Sequence, residues 1–233
     1  MLPVEKPAPP DGAPRRQPAA LHFPVAAKVP ETKRHSALRS LLHLVLSTLA
    51  DWHSIGCDQF VYWDPTDPAR CLAPDAFVHL GVPDSLFSSW KTWERGVPDL
   101  AVEITSDSDA SALAWDVKLR RYQELGVREL VRFDADEAPE RQVRIWDRVE
   151  GALVERQDGE DRYFCRALKL FWVVVAAGRL PAALRLARDA EGRDRVLTPE
   201  ERSERARQAE AQARQAAEQR VAELEAELRR RGG

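Results

Sequence analysis

Between Pro98 and Asp134 the chain reads PDLAVEITSDSDASALAWDVKLRRYQELGVRELVRFD. Apolar residues alternate with other types over 99–106, which predicts a strand. A Ser/Asp-rich turn follows. A helix is then expected over 109–125, ending at Gly126, a residue suited to the position just past a helix. VRELVRFDAD, 127–136, reads as the next strand. Strand, helix and strand in so short a window make a βαβ-like unit.

The segments around this unit are mostly strands. ETKRHSALRSLLHLVLSTLADW, about 31–51, spaces Leu38, Leu41, Leu42, Val45, Leu46 and Leu49 by threes and fours, which predicts an amphipathic helix packed on a sheet. CDQFVYWDP and APDAFVHLG (73–81) read as strands. DSLFSSWKTWERG (84–96) reads as an insertion, a loop or short helix. RQVRIWDRVEGALVER (141–156) predicts a hairpin turning near Glu150-Gly151. RYFCRALKLFWVVV supplies further strand material, with 168–178 as a buried strand, and Pro181 opens a short closing segment. The fold class is therefore α/β with a mixed β-sheet flanked by helices. With 233 residues and 44% hydrophobic content, there is material for one full core plus tails.

The two ends differ from this middle. Residues 1–22 are proline-rich and read as an extended leader, leaving 23–190 as the folded domain. From Thr198 the chain is almost wholly Ala, Glu, Arg, Gln and Leu. Thr198, Pro199 and Glu201 have the spacing of a capped helix start. Residues 198–233 thus predict one long C-terminal α-helix. Ala217, Val221, Leu224 and Leu228 mark a weak coiled-coil seam along it. Self-association through this helix to a homo-oligomer and a lone solvated extension both remain open.

Several classes are disfavoured. A net charge of −3 gives no global attraction to nucleic acid, so any such contact needs a local patch. No apolar run reaches the roughly 18 residues of a membrane span, and the N-terminus lacks a signal-peptide core. Cys57, Cys71 and Cys165 have no paired spacing, which fits reduced thiols in a cytoplasmic protein. Phosphate-loop, dinucleotide and nucleophile-elbow glycine patterns are absent from the sequence.

Chemistry concentrates on three residues. In a strand, Asp99, Ala101 and Glu103 share one face and Leu100, Val102 and Ile104 the other. Acids facing water would explain that pattern. Asp99 and Glu103 sit four residues apart, roughly 13 Å along a strand, too far to grip one ion. Glu103 needs a carboxylate from a neighbouring element, and Asp75, opening its strand after Pro74, is the candidate. Lys118 lies on the following helix with Arg121 and Tyr122 on its face. Six of the 35 basic residues are lysine, so a lysine here favours a chemical role over a surface one. Two acids and a lysine form the minimum set for metal-assisted phosphodiester hydrolysis. Of the seven tryptophans, Trp90 and Trp93, beside Lys91 and Arg95, are the pair singled out for DNA contact; the others read as core or rim.

PDLAVEITS, with Lys118 in KLRRYQELGVRELVRFD, resembles the Uma-type restriction endonuclease family of bacterial proteins within the PD-(D/E)XK nuclease superfamily. The similarity runs over roughly residues 30–175 and is specific across 73–134. It departs where the family has proline and this chain has Asp107, and where GVRELVRFD lacks the family's proline and aromatic pair. The resemblance implies a restriction endonuclease-like fold and a Mg²⁺-dependent (or Mn²⁺-dependent) DNA endonuclease. It implies Asp75 and Glu103 as metal ligands, Lys118 as catalytic lysine and Asp99 as a supporting acid. His35 matches a histidine often found at the start of the family's first long helix, where a capping role is the alternative. A catalytically degenerate module that docks through its C-terminal helix is the second reading.

Overall fold

Thr32 starts the first described helix: its hydroxyl accepts a hydrogen bond from the His35 N–H at 3.1 Å, so an otherwise orphaned donor is satisfied. In this computed structural model, residues 21–24, 31–105, 115–157, 159 and 162–232 are described. The leader over 1–20 and the Ser/Asp turn at 106–114 lie outside them.

In chain order the elements are α1 (Lys33–Leu46), β1 (His53–Gly56), β2 (Val61–Tyr62), β3 (Cys71–Leu72), β4 (Ala76–Leu80), β5 (Trp90–Lys91), α2 (Thr92–Arg95), β6 (Leu100–Thr105) and α3 (Trp115–Leu125). There follow β7 (Glu129–Asp134), β8 (Val143–Val149), β9 (Ala152–Glu155), β10 (Phe164–Cys165), β11 (Leu170–Ala177), β12 (Leu180–Ala187) and α4 (Pro199–Arg231). The central six-stranded sheet has the order β1-β4-β6-β7-β8-β9. Its β6–β7 pair is parallel and its other pairs are antiparallel. The architecture is mixed α/β, with a mixed sheet, flanking helices and a long C-terminal helix.

Two apolar cores lie on opposite faces of this sheet. One unites Leu38, Leu42 and Val45 of α1 with Leu100, Val102, Ile104, Trp172 and the inner side of β12. The other joins Val61, Phe77, Trp90 and Ala101 to Tyr122 and Leu125 of α3. Strand β6 is therefore covered on both sides, as parallel strands usually are. The one-sided amphipathic reading does not hold: Asp99 is 5% exposed and Glu103 2%, so neither acid faces open water.

Three further differences have local causes. HSIG at 53–56 forms β1, which the pattern did not reveal. It is short, and Gly56 carries no side chain because the Phe77 ring of β4 occupies that space, 2.0 Å from where a Cβ would stand. Pro181 sits within β12, at the edge of the β10-β11-β12 sheet, where a missing N–H costs no ladder bond. Residues 168–178 are mostly half-buried, with Trp172 the fully covered member of β11.

The capping box is present at the start of α4. Thr198 Oγ1 accepts from Glu201 N–H, and Glu201 accepts from Thr198 N–H. Glu201 also takes a bidentate bond from buried Arg185, at 2.9 and 2.7 Å, which ties the helix to β12. Beyond this first turn α4 is exposed.

The Arg185 guanidinium holds the Glu201 carboxyl down to about 2 from its usual 4.5. A depressed carboxylate stabilises the fold fully above the unfolded value and loses that contribution as pH falls through the folded one. Melting temperature should therefore decline between pH 4.5 and about 2. Glu201→Gln should flatten part of that decline, as read by thermal melts at pH 5 and pH 3. A variant whose pH profile overlays that of the wild type would remove Arg185–Glu201 as the cause.

Candidate active site

The sheet register builds the site. Ala76 of β4 stands opposite Val102 of β6 in an antiparallel ladder, so the next step outward sets Asp75 opposite Glu103. Pro74 precedes Asp75 and biases the chain toward extended backbone. Asp75 is 6% exposed. Its Oδ2 accepts from the Ile104 N–H at 2.8 Å, and its Oδ1 lies 2.7 Å from His35 Nε2. Asp75 is thus anchored to the residue directly after Glu103 and to the first turn of α1.

Glu103 is held from the other side by α3. Lys118 and Tyr122 are one helical turn apart and so share a face. Lys118 Nζ donates to Glu103 Oε2 at 2.6 Å, and the Tyr122 hydroxyl donates to Glu103 Oε1. Burial pushes the Glu103 carboxyl above its ordinary range; the Asp75 charge adds to that rise, while Lys118 and Tyr122 oppose it. Burial also pushes the Tyr122 hydroxyl well upward, with the Glu103 charge reinforcing the effect. The neutral, donating form of Tyr122 is thereby favoured. The Lys118 side chain is 22% exposed, so its amine lies at the border between interior and solvent.

Asp75, Glu103 and Lys118 are thus brought together, and Asp99 is not brought to them. Asp99 lies at the opposite end of β6, where it accepts from Leu80 N–H at 2.8 Å and faces His79 and Arg128 at 3.3 and 3.1 Å. It borders a separate cavity of about 390 Å³ with Glu129, Asp147 and Arg166.

Among the described residues, no group of three or more His, Cys, Asp or Glu side chains is arranged to hold a metal ion. Two carboxylates suffice for one mode of binding. Mg²⁺ and similar hard cations take oxygen donors, keep several waters and are commonly held by one or two carboxylates plus substrate phosphates. Each carboxylate has more lone-pair sites than the bonds above occupy. Burial is the main cause of the raised Glu103 carboxyl, and the Asp75 charge adds a smaller push in the same direction, of the kind a divalent cation relieves. The donor set fits Mg²⁺ or Mn²⁺.

Sequence reasoning named Tyr122 as a neighbour of Lys118 without its bond to Glu103. It left His35 between a cap and a site residue. The i+4 spacing from Lys118 was the available signal for Tyr122; nothing local signals the 40-residue reach from His35 to Asp75. The Trp90–Trp93 pair is not a stacking surface. Trp90 is 1% exposed and donates to the Gly96 carbonyl, leaving Trp93 alone at the surface. A tryptophan pair in contact is found elsewhere, at Trp115 and Trp146, whose rings lie 5.0 Å apart.

A family model described as "Uma2: Putative restriction endonuclease" matches residues 25–176. A search of curated proteins gives no match. Among solved structures, the crystal structure of a protein titled a putative nuclease belonging to DUF820, from Anabaena variabilis ATCC 29413, is similar. It is 15% identical, with 52% of this chain and 70% of that chain covered, at a TM-score of 0.33. No helix of the described residues is long and apolar enough to cross a membrane.

Proposed function

The chain belongs to the Uma2 restriction endonuclease family, and on that premise we propose that it hydrolyses phosphodiester bonds in DNA with a divalent cation, Mg²⁺ or Mn²⁺. The observation that carries this reading is the 2.6 Å contact from Lys118 Nζ to Glu103 Oε2, beside an Asp75 carboxylate anchored on Ile104 N–H. Asp75 and Glu103 would hold the cation. When bound, it supplies an acidified water and offsets negative charge on the phosphate. Lys118 orients the attacking water or donates to charge developing on phosphate oxygen. Tyr122 fixes the rotation of the Glu103 carboxylate, and His35 with Ile104 N–H does the same for Asp75. Asp99 supports the site from afar by tying β6 to the end of β4. Residues 23–190 are the nuclease domain in this reading, 1–22 a leader and 198–233 an appended helix of a cytoplasmic protein.

Purified full-length chain with plasmid DNA tests the proposal. Cutting is expected with 5–10 mM Mg²⁺ or Mn²⁺, about the working range for weakly held hard cations, and none in a chelator. Equal cutting in chelator would exclude the metal role. One observation favours a second reading: Val221, Leu224 and Leu228 of α4 are exposed along one stripe, as a docking or self-associating helix requires. A chain that cuts nothing with either metal yet sediments as an oligomer would support a degenerate nuclease fold used for assembly.

A further inference from the structure

The register that opposes Asp75 to Glu103 continues across the sheet. Glu103 of β6 pairs with Arg132 of β7, and Arg132 pairs with Arg144 of β8. Directly paired positions point to one face, so two acids and two arginines form a line. Neighbouring strands lie about 4.8 Å apart.

The two guanidinium groups are held in the same manner. The Arg132 guanidinium lies over the Trp115 ring at 5.2 Å and the Arg144 guanidinium over Trp146 at 5.1 Å, and the two indoles touch one another. One edge of each guanidinium is fixed by oxygen. Arg132 donates through Nε to Thr105 at 3.0 Å and through Nη2 to Asp134 at 3.2 Å. Arg144 donates through Nε and Nη2 to Glu155 at 2.7 and 2.5 Å. Among the described residues Nη1 of each has no hydrogen-bond partner, and the side chains are 20% and 37% exposed. A guanidinium carries five N–H donors, so each keeps donors unspent. Like charges directly opposite on neighbouring strands are destabilising; Asp134 and Glu155 offset that repulsion here. The pair is thereby stacked and clamped in place with donors to spare, which is what an anion spanning both would require.

We propose that Arg132 and Arg144 are a phosphate track that receives the backbone of the DNA strand running from the Asp75–Glu103 pair. The identity of the DNA rests on the nuclease reading above. Rigid, stacked guanidiniums suit phosphate oxygens better than free lysines do. Such contacts position the strand and carry no base preference.

Binding of a fluorescein-labelled DNA duplex to the full-length chain, read by anisotropy in metal-free buffer, tests this without cutting. Arg132→Gln and Arg144→Gln should each weaken binding by about tenfold and lower the salt slope of log Kd by about one. Glu155→Gln removes the carboxylate that competes for Arg144 and should tighten binding by about threefold. Glu204→Gln, the same charge change on exposed α4, should leave it as in wild type. Arginine variants with wild-type melting temperature and wild-type affinity would overturn the track. If those variants do not fold, Glu155→Gln binding no tighter than Glu204→Gln overturns it. Wild type that cuts DNA yet ignores these substitutions removes the track alone. Wild type that binds through them but never cuts removes the nuclease reading and keeps the track.

Discussion

Glu103→Gln is expected to reduce plasmid cutting by about 10³-fold or more while leaving the melting temperature within a few degrees of wild type. A thousandfold loss corresponds to about 4 kcal/mol of barrier. The two halves of this expectation have separate causes. The carboxylate is fully covered, and burial pushes its ionisation upward; folding must desolvate that charge, at a cost the Lys118 contact only partly offsets. An amide of the same shape still accepts from Tyr122 and avoids that cost, so stability is retained. The chemistry has no such substitute. Glutamine offers no anionic oxygen to a cation, and with its single oxygen on Tyr122 it turns an NH2 donor toward the Lys118 amine, which at 22% exposure can turn to water instead. A folded variant that cuts within tenfold of wild type would remove Glu103 from the reaction.

Trp172→Ala should cost about 3–5 kcal/mol of stability, the usual loss for deleting a buried tryptophan, and lower the melting temperature by about 10 °C or more. Trp172 of β11 is 1% exposed and packs in the core shared by α1, the central sheet and β12. Its ring joins the β10-β11-β12 sheet to the main one. Among the described residues the indole Nε1 has no hydrogen-bond partner, so the loss is one of burial and packing. Urea unfolding checks it: the midpoint should fall with little change in slope. A loss below about 1 kcal/mol would mean that the second sheet is held by something other than this core.

Residue by residue, what the sequence disclosed follows from the range of each interaction. Near-neighbour patterns were readable: the spacing of Leu38, Leu42 and Val45, the Thr198–Pro199–Glu201 cap and the Glu150-Gly151 turn each act within a few positions. The pairing of Asp75 with Glu103 was also readable, because an acid after proline and an acid in a strand define their own register once the strands are neighbours. The burial of Glu103 was not, since the helix that covers it follows later in the chain. Nor was the alignment of Arg132 with Arg144. Each looks like an ordinary outward arginine in its own strand, and only the ladder β6-β7-β8 puts them beside the acids. His35 meets Asp75 across 40 residues for the same reason.

The most direct test is a crystal of the full-length chain soaked in Mn²⁺ and measured for anomalous scattering. A peak is predicted within about 2.0–2.5 Å of one carboxylate oxygen of Asp75 and one of Glu103, with Lys118 Nζ still in contact with Glu103. Ordered, unliganded carboxylates at those positions, with manganese bound elsewhere or nowhere, would contradict it.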